Sequence, residues 1–178
     1  MRDFQIPDPL INTYVLLLNT SDVVARYAEI ELSRLGLTYT QYVVLVTLSV
    51  CPQPPTLTEL ADRLFRTKNS LTTVIDNMEH HGLVKRVRDN ADRRAIRVIA
   101  TEKGKELFGA VLPPSRELVY GVMSCYNQDD MNRLSELLQM VRNHVLQKLA
   151  KGDGHGALVS ETVEAASEGN VHKNRIHQ

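Results

Sequence analysis

The sequence predicts a mainly α protein in which one small β-hairpin lies between two groups of helices. Apolar residues recur three and four positions apart over most of the chain up to about residue 150. This pattern is interrupted at 83–100, where β-branched residues flank a polar and basic stretch. Glycines and prolines stand where the helical patterns end. These observations divide the chain into elements.

The first element predicted is a long helix from Leu10 to Leu35. Gly36 ends it, because glycine tolerates the positive φ that follows many helices. Thr38 and Gln41, three positions apart, form a capping-box pattern. This box predicts a second helix over roughly 39–50, which the prolines that follow would terminate.

Two shorter helices are predicted next. Thr56 and Glu59 form another capping-box pattern, and apolar residues at helical spacing follow it over 57–64. The same spacing returns between Lys68 and His81, and Gly82 ends that helix. Helices this close in sequence, with no strand between them, must meet at a large angle.

A basic hairpin is predicted from two short strands, Leu83 to Arg88 and Ala95 to Ala100, joined by a polar tip. Its residues 83–98 include six basic and two acidic side chains, a net charge of +4, whereas the whole chain has 21 basic and 21 acidic residues. A local excess of this size indicates either a polyanionic partner or a structural role. A helix pair followed by a charged hairpin is the way in which a winged helix-turn-helix meets DNA.

Two further helices are predicted after the hairpin, from Thr101 to about Cys125 and from Asn127 to about Ala150. We interpret Gly104 as an isolated glycine in a helix start. Pro113-Pro114 should bend or interrupt the first of these helices, because proline lacks the amide donor. The segment 151–178 has few large apolar residues and predicts a disordered tail.

The long helices at both ends are more apolar than one small winged domain can cover. Pairing with the same helices of a second copy is the simplest solution, so we expect a two-fold dimer. The expected organisation is an N-terminal dimerisation helix at 1–36, a winged helix-turn-helix DNA-binding domain at 37–100, C-terminal dimerisation helices at 101–150 and the tail at 151–178.

Several functional classes receive little support from the sequence. No apolar stretch long enough for a signal peptide or a membrane span is evident, so a cytoplasmic location without membrane contact is expected. The two cysteines and six histidines do not have metal-ligand spacing. We find no phosphate-binding loop, nucleophile elbow or paired carboxylates, and therefore expect neither an enzyme nor a bound cofactor.

Double-stranded DNA is the partner that the residues favour. The second helix of the pair offers small polar side chains and an amine near its N-terminus, which suit base edges and phosphates. These candidates are Lys68, Asn69, Ser70, Thr72, Thr73 and Asn77. In the hairpin, arginines at a narrow tip suit a minor groove, and Asp92 could orient one of them. A solvated polar helix face and a solvated charged hairpin are the plain alternatives.

The order of these parts resembles the MarR family of winged helix-turn-helix transcription regulators over about residues 10–150. The matching motifs are LTYTQYVVL, TLTELADRL, SLTTVIDNMEHHGLVKR and DNADRRAIRVIATEKG. The last, which contains an Asp-Arg-Arg wing signature, is the most specific. The resemblance implies that the recognition-helix candidates contact the major groove. It also implies that Asp92 braces Arg94 in the minor groove and that Arg93 contacts the backbone. With these two arginines, the candidate wing residues are Arg88, Asn90, Asp92, Arg93 and Arg94.

The resemblance also implies a homodimer formed through the first and last helices. A small, often aromatic and anionic ligand would release such a dimer from DNA. Pro113-Pro114 and the segment after Ala150 depart from the family pattern.

Candidate effector-binding residues are Tyr14, Arg26, Tyr39 and Tyr42, each of which could equally serve ordinary packing. Two other functions stay open: a winged-helix protein–protein adaptor without DNA binding, and a regulator that senses oxidants through Cys51. Because no cation is near Cys51 in the sequence, a buried and inert thiol is its expected state.

Overall fold

A computed structural model describes residues 6–89 and 95–151 of the chain, the last by its backbone alone. This part contains six helices and two strands, in agreement with the mainly α class predicted. In chain order they are α1 (Pro9–Arg34), α2 (Tyr39–Val50), α3 (Leu57–Arg63), α4 (Lys68–His80), β1 (Val84–Arg88), β2 (Ile96–Ala100), α5 (Glu102–Met123) and α6 (Gln128–Lys151).

Both predicted capping boxes are confirmed. At the start of α2 the Gln41 amide donates to Thr38 Oγ1 over 3.2 Å, and the Thr38 amide donates to Gln41 Oε1 over 2.9 Å. Thr56 and Glu59 make the same reciprocal pair at the start of α3, at 3.2 and 2.6 Å. Each box satisfies amide groups that have no partner within the helix, so local sequence alone fixes where these helices begin.

The hairpin is confirmed as a two-stranded antiparallel sheet in which Val84 pairs with Ala100 and Arg88 with Ile96. The segment before α3 adds to it, because the Val98 amide donates to the Pro55 carbonyl oxygen over 2.8 Å. The hairpin is thus attached to the helix pair at its base.

The hydrophobic core lies between the helix pair, the base of the hairpin, α2 and the first turns of α5. Its fully buried side chains include Val44, Leu45, Leu60, Leu71, Ile75, Met78, Val84 and Val98. Helix α1 adds only Leu32 to this cluster, and Leu146 is the one buried residue in the described part of α6. The core therefore fixes α4 and the hairpin while most of α1 and α6 lies outside it.

The expected interruption at Pro113-Pro114 is wrong, since α5 continues through both prolines from Glu102 to Met123. Residues on either side of the pair are held by packing: Val111 and Ser115 are buried. Tyr42 on α2 also shares a hydrogen bond of 2.8 Å with Ser115 Oγ. Tertiary contacts thus maintain a helix that the local sequence disfavours.

Gly104 is more than an isolated glycine in a helix start. A Cβ atom at this position would lie 2.0 Å from the carbonyl oxygen of Leu83. The close approach is held by Thr101, whose hydroxyl donates to the Gly82 carbonyl oxygen over 2.6 Å and accepts from the Gly104 amide over 3.1 Å. Gly104 lets the N-terminus of α5 rest on the start of the hairpin.

Candidate nucleic-acid interface

Helix α4 presents its N-terminal end to solvent. Its apolar face is buried through Leu71, Ile75 and Met78, which fixes the direction of the remaining side chains. Thr67 caps the helix by accepting from the Ser70 amide over 3.3 Å. The first turn therefore combines free amide groups with an exposed position, an arrangement suited to phosphate.

Most of the predicted recognition residues lie on this exposed end. Lys68, Asn69, Ser70 and Thr73 are exposed, and Thr72 is half-buried. The Thr72 hydroxyl donates to the Lys68 carbonyl oxygen over 2.8 Å, which leaves its oxygen as an acceptor. These side chains offer both donors and acceptors, as base edges and phosphates require.

Asn77 differs from the other predicted recognition residues. It lies nine positions after Lys68, about 13 Å along the helix. Gln41 Nε2 donates to Asn77 Oδ1 over 2.9 Å. The same Gln41 side chain completes the capping box of α2, so Asn77 connects α4 to α2 in this structure.

The hairpin is joined to α4 by Arg86. Its guanidinium donates to Asp76 over 2.6 Å and to Glu79 over 2.5 Å, and its backbone amide donates to Glu79 Oε1 over 2.9 Å. Partial burial lowers the pKa of Arg86, but the hydrogen bonds from Asp76 and Glu79 outweigh this effect and raise it. We call these three residues the Arg86 clamp.

Arg97 serves the other side of the hairpin. Its guanidinium pairs with Asp89 and donates to the Pro54 carbonyl oxygen over 2.7 Å. Glu59 on α3 lies 3.7 Å away. Arg97 thus holds β2 against the helix pair.

These two arginines change the interpretation of the hairpin charge. The excess of +4 suggested a polyanionic partner or a structural role, and Arg86 and Arg97 have the structural role. Arg88 is exposed and, by strand alternation, lies on the same hairpin face as Arg86. The other predicted wing residues, Asn90, Asp92, Arg93 and Arg94, lie outside the described residues.

The predicted effector residues do not form a single group within one chain. Tyr14 and Arg26 are both exposed on α1 and lie twelve positions apart, about 18 Å along the helix. One small ligand cannot touch both within one chain. Tyr39 lies nearer to Arg26, because its amide donates to Glu29 Oε2 over 2.7 Å.

Tyr42 is half-buried, and its hydroxyl is engaged with Ser115. Its ring packs near Phe108, with 6.3 Å between the ring centroids. This is the ordinary packing that the sequence left open for it.

The two cysteines are free thiols, and Cys51 is half-exposed where a buried thiol was expected. It follows directly after α2, in the segment that leads to α3. Over residues 6–89 and 95–151, no three His, Cys, Asp or Glu side chains are grouped as a metal site requires. No helix within the same residues has both the length and the apolarity that crossing a membrane demands.

Comparison with known proteins connects this arrangement to regulators of transcription. Residues 37–96, which include the helix pair and most of the hairpin, match the MarR family. The HTH-type transcriptional regulator SarZ of Staphylococcus epidermidis is 24% identical over 128 residues, which cover 72% of this chain and 84% of SarZ.

Two solved structures share the fold. AbsC, a MarR family transcriptional regulator from Streptomyces coelicolor, superposes with a TM-score of 0.72 at 24% identity, over 82% of this chain and 98% of AbsC. A mutant MarR from E. coli complexed with operator DNA superposes with a TM-score of 0.68 at 24% identity. That match covers 74% of this chain and 94% of the MarR chain.

Proposed function

The chain belongs to the MarR family of DNA-binding transcription regulators, and we propose that it is a homodimeric repressor of a pseudo-palindromic operator. Each subunit inserts the N-terminal end of α4 into a major groove and extends its hairpin toward the flanking minor groove. A small aromatic or anionic ligand releases the dimer from the operator.

The observation that carries this proposal is the Arg86 clamp. Because Arg86 bonds both Asp76 and Glu79, the hairpin keeps one orientation relative to α4. The polar end of α4 and the exposed Arg88 are thereby held in a fixed relation. A duplex requires such a relation, since its major and minor grooves lie at fixed distances from each other.

The exposed apolar side chains on the terminal helices support a dimer. On α6, Leu138, Val141, Val145 and Leu149 fall on one face and are each more than 40% exposed. On α1, Leu10 and Tyr14 are more exposed still. A contiguous apolar face of this kind favours burial against a second copy. The two recognition helices would then read half-sites roughly 34–36 Å apart.

Ligand release would act on the spacing of the two DNA-binding lobes. Arg26, Tyr39 and Tyr42 lie where α1 meets α2, at the boundary between the proposed dimer helices and the DNA-binding part. An anion that binds Arg26 would separate or rotate these elements. Both half-sites could then no longer be engaged together. Soaking with aromatic carboxylates, followed by measurement of operator release, tests this step.

The main experiment titrates the protein against its own promoter DNA at several salt concentrations. Neutralised phosphates release counterions, so the affinity should fall steeply and linearly on a logarithmic salt scale. An unrelated fragment of equal length is the control for specificity. Binding that is absent, or that does not change with salt, contradicts the proposal.

Arg94→Ala tests the wing directly. Loss of a minor-groove contact should weaken operator binding by about tenfold or more while the dimer persists. Arg133→Ala is a matched control, because Arg133 is an exposed arginine on α6 that pairs only with Glu136 among the described residues. Equal affinities for wild type and Arg94→Ala would exclude the wing contact.

The adaptor alternative loses some of its support. Asp76 and Glu79 on α4 would suit a protein partner if they were free, but both bind Arg86. Sensing of oxidants by a thiol keeps a specific observation in its favour, namely the half-exposed Cys51. Cys51→Ser and Cys125→Ser, tested for oxidant-dependent DNA release, separate thiol sensing from ligand sensing.

A further inference from the structure

Three helices end in the same backbone pattern, and one of them does so with an unexpected residue. After α1 and α4 the chain enters the left-handed region at Gly36, with φ 82°, and at Gly82, with φ 70°. After α3 the corresponding residue is Phe65, with φ 51°, the only non-glycine residue with positive φ in the part of the chain described. The Phe65 amide donates to the Asp62 carbonyl oxygen and the Arg66 amide to that of Ala61, over 3.1 and 2.9 Å. This is the pattern in which glycine is preferred, because a Cβ atom is strained there.

Packing does not compensate for this strain. The Phe65 side chain is 54% exposed and is not part of the hydrophobic core. Glycine would complete the turn without the strain and without an exposed aromatic ring. A strained, exposed residue that folding does not require suggests a role in binding.

The surroundings of Phe65 indicate the chemistry of its partner. The turn joins α3 to the proposed recognition helix, and three neighbouring cations are exposed: Arg63, Arg66 and Lys68. Asp62 is the one acidic residue between Ala61 and Ile75. A ring within a cationic segment, next to the exposed N-terminus of α4, fits a polyanion that also offers an apolar group.

We propose that Phe65 contacts the C5-methyl group of a thymine in the major groove of each half-site. The thymine methyl is the apolar group that base edges present in that groove, and phenylalanine is among the side chains that contact it. Arg63, Arg66 and Lys68 neutralise the adjacent phosphates. The proposal rests on the DNA-binding function above and adds to it a residue that determines sequence preference.

Two variants test the ring without disturbing the turn. Phe65→Gly and Phe65→Asn both accept positive φ, so their melting temperatures should equal or exceed that of the wild type. Binding to a genomic fragment that the wild type retains should weaken roughly fourfold for each half-site, the effect of one buried methyl group. Unchanged affinity in both variants would overturn the proposal.

An operator with deoxyuridine in place of thymine isolates the methyl group. The ratio of wild-type to Phe65→Gly affinity should fall close to one on this duplex, whereas other contacts affect both proteins alike. The same ratio on both duplexes would refute the assignment to thymine. A wild-type protein that binds no DNA would overturn the proposed function as well, so the two failures are distinguishable.

Discussion

Individual residues show how far local sequence determines this structure. Thr38 and Thr56 were predicted as caps because their partners lie three positions away in the same segment. The role of Arg97 was not predictable, since Glu59 lies 38 positions before it and a charge count does not identify pairs. The strain at Phe65 was equally hidden, because the sequence carries no signal of positive φ without a glycine.

Gly104 yields a prediction at this scale. Gly104→Ala would place Cβ 2.0 Å from the Leu83 carbonyl oxygen, so α5 or the hairpin must shift. We expect a loss of about 2 kcal/mol in the free energy of unfolding, measured by urea denaturation.

Gly109→Ala is the matched control for this loss. It is another glycine of α5, and an added Cβ would meet no atom within 4 Å. This variant should gain roughly 0.5–1 kcal/mol from the higher helix propensity of alanine. Equal effects of the two substitutions would disprove the role given to Gly104.

At the scale of elements, periodicity predicted every described helix and strand but misjudged α5. The interruption expected at Pro113-Pro114 followed from backbone chemistry, which is correct in isolation. Buried neighbours, among them Ser115 and its bond to Tyr42, outweigh that preference. Such contacts join residues 73 positions apart, and no local pattern records them.

Pro113→Ala tests this balance. Pro113 is exposed in the interior of α5, where proline costs about 3 kcal/mol relative to alanine. Some of this gain is offset because alanine makes the unfolded chain more flexible. We therefore expect the free energy of unfolding to rise by about 2 kcal/mol in a denaturation experiment.

Pro9→Ala provides the comparison. Pro9 occupies the first position of α1, where proline is favourable because its missing amide would have no helical partner. No gain in stability is expected there. A Pro113→Ala protein no more stable than the wild type would show that α5 accommodates the proline without cost.

The whole molecule raises the question of what covers the terminal helices. The sequence predicted long apolar stripes at both ends, and most of their residues are exposed in the single chain. The fold class was predictable because it follows from the order of the elements. The partner surface was not, since periodicity shows that a face is apolar without showing what it packs against.

Leu138→Lys tests the proposed dimer. A charge in the middle of the apolar face of α6 should convert a dimer to a monomer in sedimentation experiments, and operator binding should fall with it. Gln139→Lys, one position along on a different face, should remain dimeric. A wild-type protein that is monomeric at micromolar concentration would contradict the dimer.

The double ion pair of Arg86 has a further consequence for regulation. Because the hairpin and α4 are bonded at two carboxylates, they move as one rigid body. An effector can change the position of this body, but it cannot adjust the two groove contacts independently. Selectivity for base sequence is therefore fixed within each subunit, while control acts only on the geometry that joins the subunits.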